Sequence, residues 1–117
     1  MRTRTVRFGL YADEEGLVWV RKLVTDAVAT RSARIIDMTV AHTLPSGMPT
    51  AEMYDILAEQ WAHENPGQSP GTRQLVELRV HLACSLQTWR AIRKTLIRTL
   101  CPQGMSPHAC RVPWFAA

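Results

Sequence analysis

The sequence predicts an α+β domain, a four-stranded antiparallel sheet with two helices on one face and a further helix inserted between the second and third strands. Three observations predict it. Segments of strand-like alternation and helix-like periodicity follow one another in the order β-α-β-(α)-β-α-β. The clearest strand, 74–84, sets Val76, Leu78, Val80, Leu82 and Cys84 on one side and Glu77, Arg79, His81 and Ala83 on the other. That two-sided pattern belongs to a sheet with one covered and one open face, whereas a doubly wound parallel sheet buries both and shows continuous apolar strands. Finally, 117 residues with 46% hydrophobic content suffice for one core, so 1–117 is expected to be a single α+β domain.

Residues 4–12 alternate Val6, Phe8 and Leu10 with Thr5, Arg7, Gly9 and Tyr11, the pattern of a strand. Asp13 is placed to cap a following helix, with Glu14 and Glu15 at its positive end. Leu17, Val20, Val24 and Val28 then recur at helical spacing and predict a helix over about 14–30. The rival reading makes Asp13-Glu14-Glu15-Gly16 a hairpin turn and Leu17–Val20 a returning strand. Residues 34–42 form the second strand, and Leu44–Pro49 is a loop by its prolines and glycine. Thr50 is expected to cap a helix over 50–64 whose Met53, Ile56, Leu57 and Trp61 share one face, and Asn65-Pro66-Gly67 stops it. After the strand at 74–84, Ser85 opens a third helix with Leu86, Trp89, Ile92, Leu96 and Leu100 on one stripe, ended by Pro102. Residues 110–115 read as a short last strand, and Pro113 places it at a sheet edge. Without the 50–64 helix, this order is the ferredoxin-like split βαβ pattern.

The net charge is +4, carried by twelve Arg and two Lys against ten acids. Arginine forks contact phosphate and carboxylate well, so the balance fits an anionic partner, and it fits a G+C-rich coding genome equally. No run approaches the roughly 18 apolar residues of a membrane span. Gly9, Asp13, Glu14 and Glu15 interrupt any apolar core behind the basic start, so a cytoplasmic protein without membrane association is expected. The odd number of cysteines, Cys84, Cys101 and Cys110, suits a reducing compartment.

The third helix carries the strongest functional signal. Arg90, Lys94 and Arg98 stand four apart with Arg93 alongside, opposite the apolar stripe, a row that can track phosphates. Against this, the 50–64 helix carries Glu52, Asp55, Glu59 and Glu64 and no Lys or Arg, so the two helices could neutralise each other inside the fold. The open sheet face is the second candidate, with Arg7, Gly9, Tyr11, Glu77, Arg79 and His81 outward on the central strands. Binders of single-stranded RNA stack bases on aromatics there, and one tyrosine is a poor platform. A second copy covering this face, prompted by Tyr11, Ile35, Ala41 and Ala83 pointing outward, leads to an expected homodimer.

Catalytic and cofactor chemistry is weakly marked. Cys101, His108 and Cys110, with Cys84, match no zinc spacing, and neither a metal nor another cofactor is expected. His42, His63, His81 and His108 are scattered, and His81 beside Glu77 and Arg79 is the best general-base candidate. Dinucleotide, phosphate-loop and zinc-protease motifs do not occur. The expected function is therefore a small basic binding or regulatory protein rather than an enzyme, whose third helix engages nucleic acid or an acidic protein. Arg7, Tyr11, Arg79 and His81 are further candidate binding residues on the opposite side of the sheet, so one flat ligand cannot use both. The alternative is a small dimeric enzyme or ligand-binding protein with its pocket between the sheet and the inserted helix.

Overall fold

The computed structural model describes residues 2–101 and 111–116. The chain runs β1 (Arg2–Ala12), α1 (Glu14–Ala29), β2 (Arg34–Ala41), α2 (Thr50–Met53), α3 (Asp55–Glu64), β3 (Gln74–Cys84), α4 (Leu86–Leu100) and β4 (Trp114–Ala116). The four strands form one antiparallel sheet in the order β2-β3-β1-β4, an open α+β arrangement compatible with the ferredoxin-like pattern. β1 and β3 are the central pair, in register from Arg2↔Cys84 to Ala12↔Gln74. No helix among the described residues is long and apolar enough to cross a membrane.

The main core fills the space between one sheet face and α1 with α4. Val6, Phe8 and Leu10 of β1 and Val76, Leu78, Val80 and Leu82 of β3 meet Val20, Val24 and Val28 of α1 and Ile92, Leu96 and Leu100 of α4. The helical reading of 14–30 holds and the hairpin does not. Asp13 accepts the Gly16 N–H at 2.8 Å, and Gly16 packs its bare Cα between Ala12 and Val112. Ser85 caps α4 by accepting from the Thr88 N–H at 3.1 Å. β4 lies at the sheet edge, where Pro113 precedes it and its carbonyl accepts the Tyr11 N–H.

The opposite sheet face departs from expectation. The 50–64 segment is two helices broken at Tyr54, whose φ of −111° and ψ of 20° leave the helical range. Thr50 is not a cap. Pro49 holds that position, and the buried Thr50 hydroxyl donates to the carbonyls of His42 (3.0 Å) and Leu75 (2.7 Å), tying the end of β2 to the start of β3. The buried face of this pair is Tyr54, Leu57 and Trp61, which form a second apolar cluster with Tyr11, whereas Met53 (48% exposed) and Ile56 (62%) face solvent. In β2 the register shifts between Ile35 and Asp37, so Ile36 bulges outward and Ile35 packs into the main core. At α4, Leu86 is exposed and the buried stripe is Ile92, Leu96 and Leu100.

Gly9 is what allows the second layer to close. A Cβ there would lie 2.5 Å from the Tyr54 ring carbons, a separation no packed side chain tolerates. Gly9→Ala is therefore expected to lower unfolding free energy by about 1–3 kcal/mol, the usual cost of overpacking. In a Tyr54→Ala background, itself destabilised by the lost ring, denaturant melts should show little further loss on adding Gly9→Ala, because the clash has one partner.

Candidate functional site

α4 presents the basic row the sequence predicts. Burial of Ile92, Leu96 and Leu100 turns Arg90, Lys94 and Arg98 to solvent, and Arg93 is half-buried beside them. The helix 86–100 holds four cations and no acid. The fold adds cations that sequence spacing does not bring together. The starts of β1 and β2 meet the end of β3 just before α4, which puts Arg2 opposite Cys84 and Arg34 opposite Ala83. Arg4 Nε donates to the Cys84 carbonyl at 3.2 Å, and Arg31 Nη2 donates to Thr95 Oγ1 of α4 at 3.0 Å. A polar groove of about 550 Å³ runs between the end of α1 and the start of α4, lined by Arg31, Ser32, Gln87 and Thr88 among others.

Neutralisation of this row by the acidic segment does not occur. Glu52, Asp55 and Glu59 lie on α2 and α3, which pack on the other face of the sheet. Among the described residues the ion contacts are Arg7–Glu77, Arg79–Glu77 and His81–Asp37, and none involves α4.

The second candidate, the open sheet face, is half closed. Tyr11 is not a stacking platform: it is buried edge-to-face against Trp61, with ring centroids 6.2 Å apart. Glu77 is not outward and solvated either. Its side chain is wholly buried, and its two oxygens are both engaged: Tyr54 Oη donates to Oε2 at 2.6 Å, and Arg79 Nε donates to Oε1 at 2.6 Å. Arg79 Nη2 also donates to the Thr43 carbonyl at 2.6 Å, while Arg7 Nη1 stands 3.9 Å from Glu77. Arg7 and Arg79 are directly opposed across β1 and β3, a like-charge pair that the carboxylate between them offsets. Burial, then the hydrogen bond and charge of Glu77, push the Tyr54 hydroxyl up to about 12. Enclosed, with both oxygens hydrogen-bonded within the fold, this carboxylate is a structural acceptor.

His81, the general-base candidate, stands on the half that stays open. Its Nδ1 is 3.1 Å from Thr5 Oγ1 and its Nε2 is 3.7 Å from Asp37, while Glu77 turns away from it toward Tyr54. The apolar residues that prompted a sheet-to-sheet dimer are largely used elsewhere, Tyr11 in the second cluster and Ile35 in the first. Packed rings fill the space between the sheet and the inserted helices, and a groove of about 510 Å³ at its margin is lined by His42, Thr50, Arg73 and Gln74 among others.

Of the cysteines, Cys84 is enclosed in the core, and His108 and Cys110 lie outside the described residues. Among the described residues no three His, Cys, Asp or Glu side chains are grouped to hold a metal ion. Neither a known protein family nor a curated protein matches the chain.

The Tyr54–Glu77 bond makes an alkaline prediction. The folded hydroxyl keeps its proton to about 12 and the unfolded one releases it near 10.0, so the stabilisation is complete below pH 10 and lost as pH rises toward 12. The loss attributable to this group is at most about 1.4 kcal/mol for each pH unit in that window. Tyr54→Phe should be less stable at neutral pH by about 1–3 kcal/mol, since it leaves Glu77 short of a partner. The difference between the two proteins should narrow from pH 10 upward in denaturant melts, and a constant difference would contradict the assignment.

Proposed function

We propose that the protein is a small, basic, non-enzymatic binding protein of the ferredoxin-like type that engages nucleic acid through the exposed face of α4, in the cytoplasm. The observation that carries this reading is the uncompensated cation row: Arg90, Lys94 and Arg98 exposed on a helix without an acid, in no ion pair among the described residues. Four residues of helix rise about 6 Å, so the row offers three cations over about 12 Å. Such spacing suits successive backbone phosphates. Arg31 and Arg93 widen the strip, and Arg2, Arg4 and Arg34 extend it around the end of the sheet.

Nucleic acid is favoured over an acidic protein by what the face lacks. Protein interfaces draw their energy from buried aromatic and aliphatic anchors within a polar rim. On α4 the only large exposed apolar side chain is Leu86, at the first position. A polar strip rich in arginine is suited to phosphate contact, which supplies affinity with little sequence preference. The open half of the sheet, with Arg7, Arg79 and His81, lies on the far side and does not share this ligand.

Reversal of Arg90, Lys94 and Arg98 to Glu should abolish binding to generic duplex DNA or RNA. These positions are exposed and unpaired, so each change should alter stability by only about 0.5 kcal/mol. Wild-type binding should weaken with salt, with a log–log slope of about −2.7 if three phosphates are neutralised at about 0.9 each. Fluorescence anisotropy across a salt series, with melting curves on the same variants, checks both. Binding that survives the triple reversal would sink the proposal.

A further inference from the structure

Two segments on opposite sides of the sheet carry charge of opposite sign, although α1, beside α4, mixes Glu14, Glu15 and Asp26 with Arg21 and Lys22. Residues 86–100 hold four cations and no acid, and residues 50–64 hold four acids and no Lys or Arg. The first set lies outside the α1–α4 layer and the second outside the α2–α3 layer, with the sheet between them. The cations that approach the acidic layer have partners there: Arg79 with Glu77 and the Thr43 carbonyl, Arg73 over the Trp61 ring at 4.6 Å, and the part-exposed Arg7 at 3.9 Å from Glu77. We propose that the occupant of the acidic α2–α3 face is the α4 face of a second copy of this chain, so that copies stack head to tail.

The surfaces match in chemistry and in length. Asp55 and Glu59 are four residues apart on α3, the same spacing, about 6 Å, as the Arg90–Lys94 and Lys94–Arg98 steps on α4. Met53 and Ile56 are exposed among the acids, where the aliphatic stems of Arg and Lys from a neighbour can cover them. Polarity also fixes the symmetry. A two-fold dimer through α4 would set cations against cations, and one through α2–α3 would set acids against acids. Because the complementary faces point in opposite directions, each copy added leaves one face of each kind free, which is a heterologous contact that continues as an open stack. Exposed ion pairs are individually weak and screened by salt, so the stacks form at low ionic strength and high protein concentration. This inference shares the α4 face with the nucleic-acid reading without depending on it. Nucleic acid would compete with the neighbouring copy.

The test uses two charge-reversed proteins without nucleic acid. One carries Arg90→Glu, Lys94→Glu and Arg98→Glu, and the other Glu52→Lys, Asp55→Lys and Glu59→Lys. Sedimentation of wild type at low salt should show species beyond one chain of 13.2 kDa, growing with concentration and lost in high salt. Each variant alone should stay monomeric, because its two faces have become alike. An equimolar mixture should associate again, since each face of one then meets its opposite on the other. Should a triple variant fold poorly, the single variants Lys94→Glu and Glu59→Lys should each self-associate more weakly than wild type and regain association on mixing. Wild type that stays monomeric at low salt, or a mixture that does not reassociate, overturns the proposal. Anisotropy at nanomolar protein tests the nucleic-acid reading separately, below the concentration of stacking, so either can fail alone.

Discussion

The outer layer of this fold hangs on one buried carboxylate. Glu77 sits in the middle of β3, on the face opposite the main core, with no exposed surface. An ionised carboxyl withdrawn from water costs several kcal/mol unless its lone pairs and charge are both answered. Here the Arg79 guanidinium answers the charge and the Tyr54 hydroxyl closes the second oxygen. The Tyr54 bond requires that the junction of α2 and α3 lie against the sheet, and Gly9, with no Cβ beneath the Tyr54 ring, leaves room for it. The break between α2 and α3 falls at the residue pinned from both sides. The Thr50 hydroxyl fixes the near end of the same segment to His42 and Leu75.

This junction makes the domain three-layered, and the charge distribution depends on that. With α2–α3 held on one face and α1–α4 on the other, the acidic and basic segments are separated by the sheet and cannot quench one another. Arg73, stacked on Trp61, and Arg7, within reach of Glu77, keep the remaining outer-face cations close to the sheet.

The fold was legible in the sequence wherever one periodicity dominated. Val76 through Cys84 alternate without a fault, and Leu17, Val20, Val24 and Val28 hold a helical stripe, so β3 and α1 could be read directly. The inserted segment was read in outline and misjudged in detail, because apolar spacing makes Met53 and Ile56 look as good as Tyr54. Tyrosine wins that position through a hydrogen bond to a residue 23 places along the chain, which no local window contains. The bulge at Ile36 shifted Ile35 inward for a similar reason, since a register is set by the partner strand. The site divided in the same way. Arg90, Lys94 and Arg98 needed only helical periodicity, whereas Arg31 joined them through a contact with Thr95, 64 residues away. Tyr11 and Glu77 were misplaced on an open face because nothing local shows that α2 will cover them.

A single polar domain of this kind constrains how its surfaces can be used. The α4 face has one strip of cations, so under the two proposals a phosphate chain and a neighbouring copy would compete for it, and the polyanion would gain from releasing condensed counterions. Under those proposals a copy bound to nucleic acid would still offer its α2–α3 acids outward, away from the polymer, where the α4 of a further copy would meet them. If both proposals hold, stacking would extend only outward from the nucleic acid. The sheet that separates the charges sets this direction, and the Tyr54–Glu77–Arg79 junction holds the sheet's second layer in place.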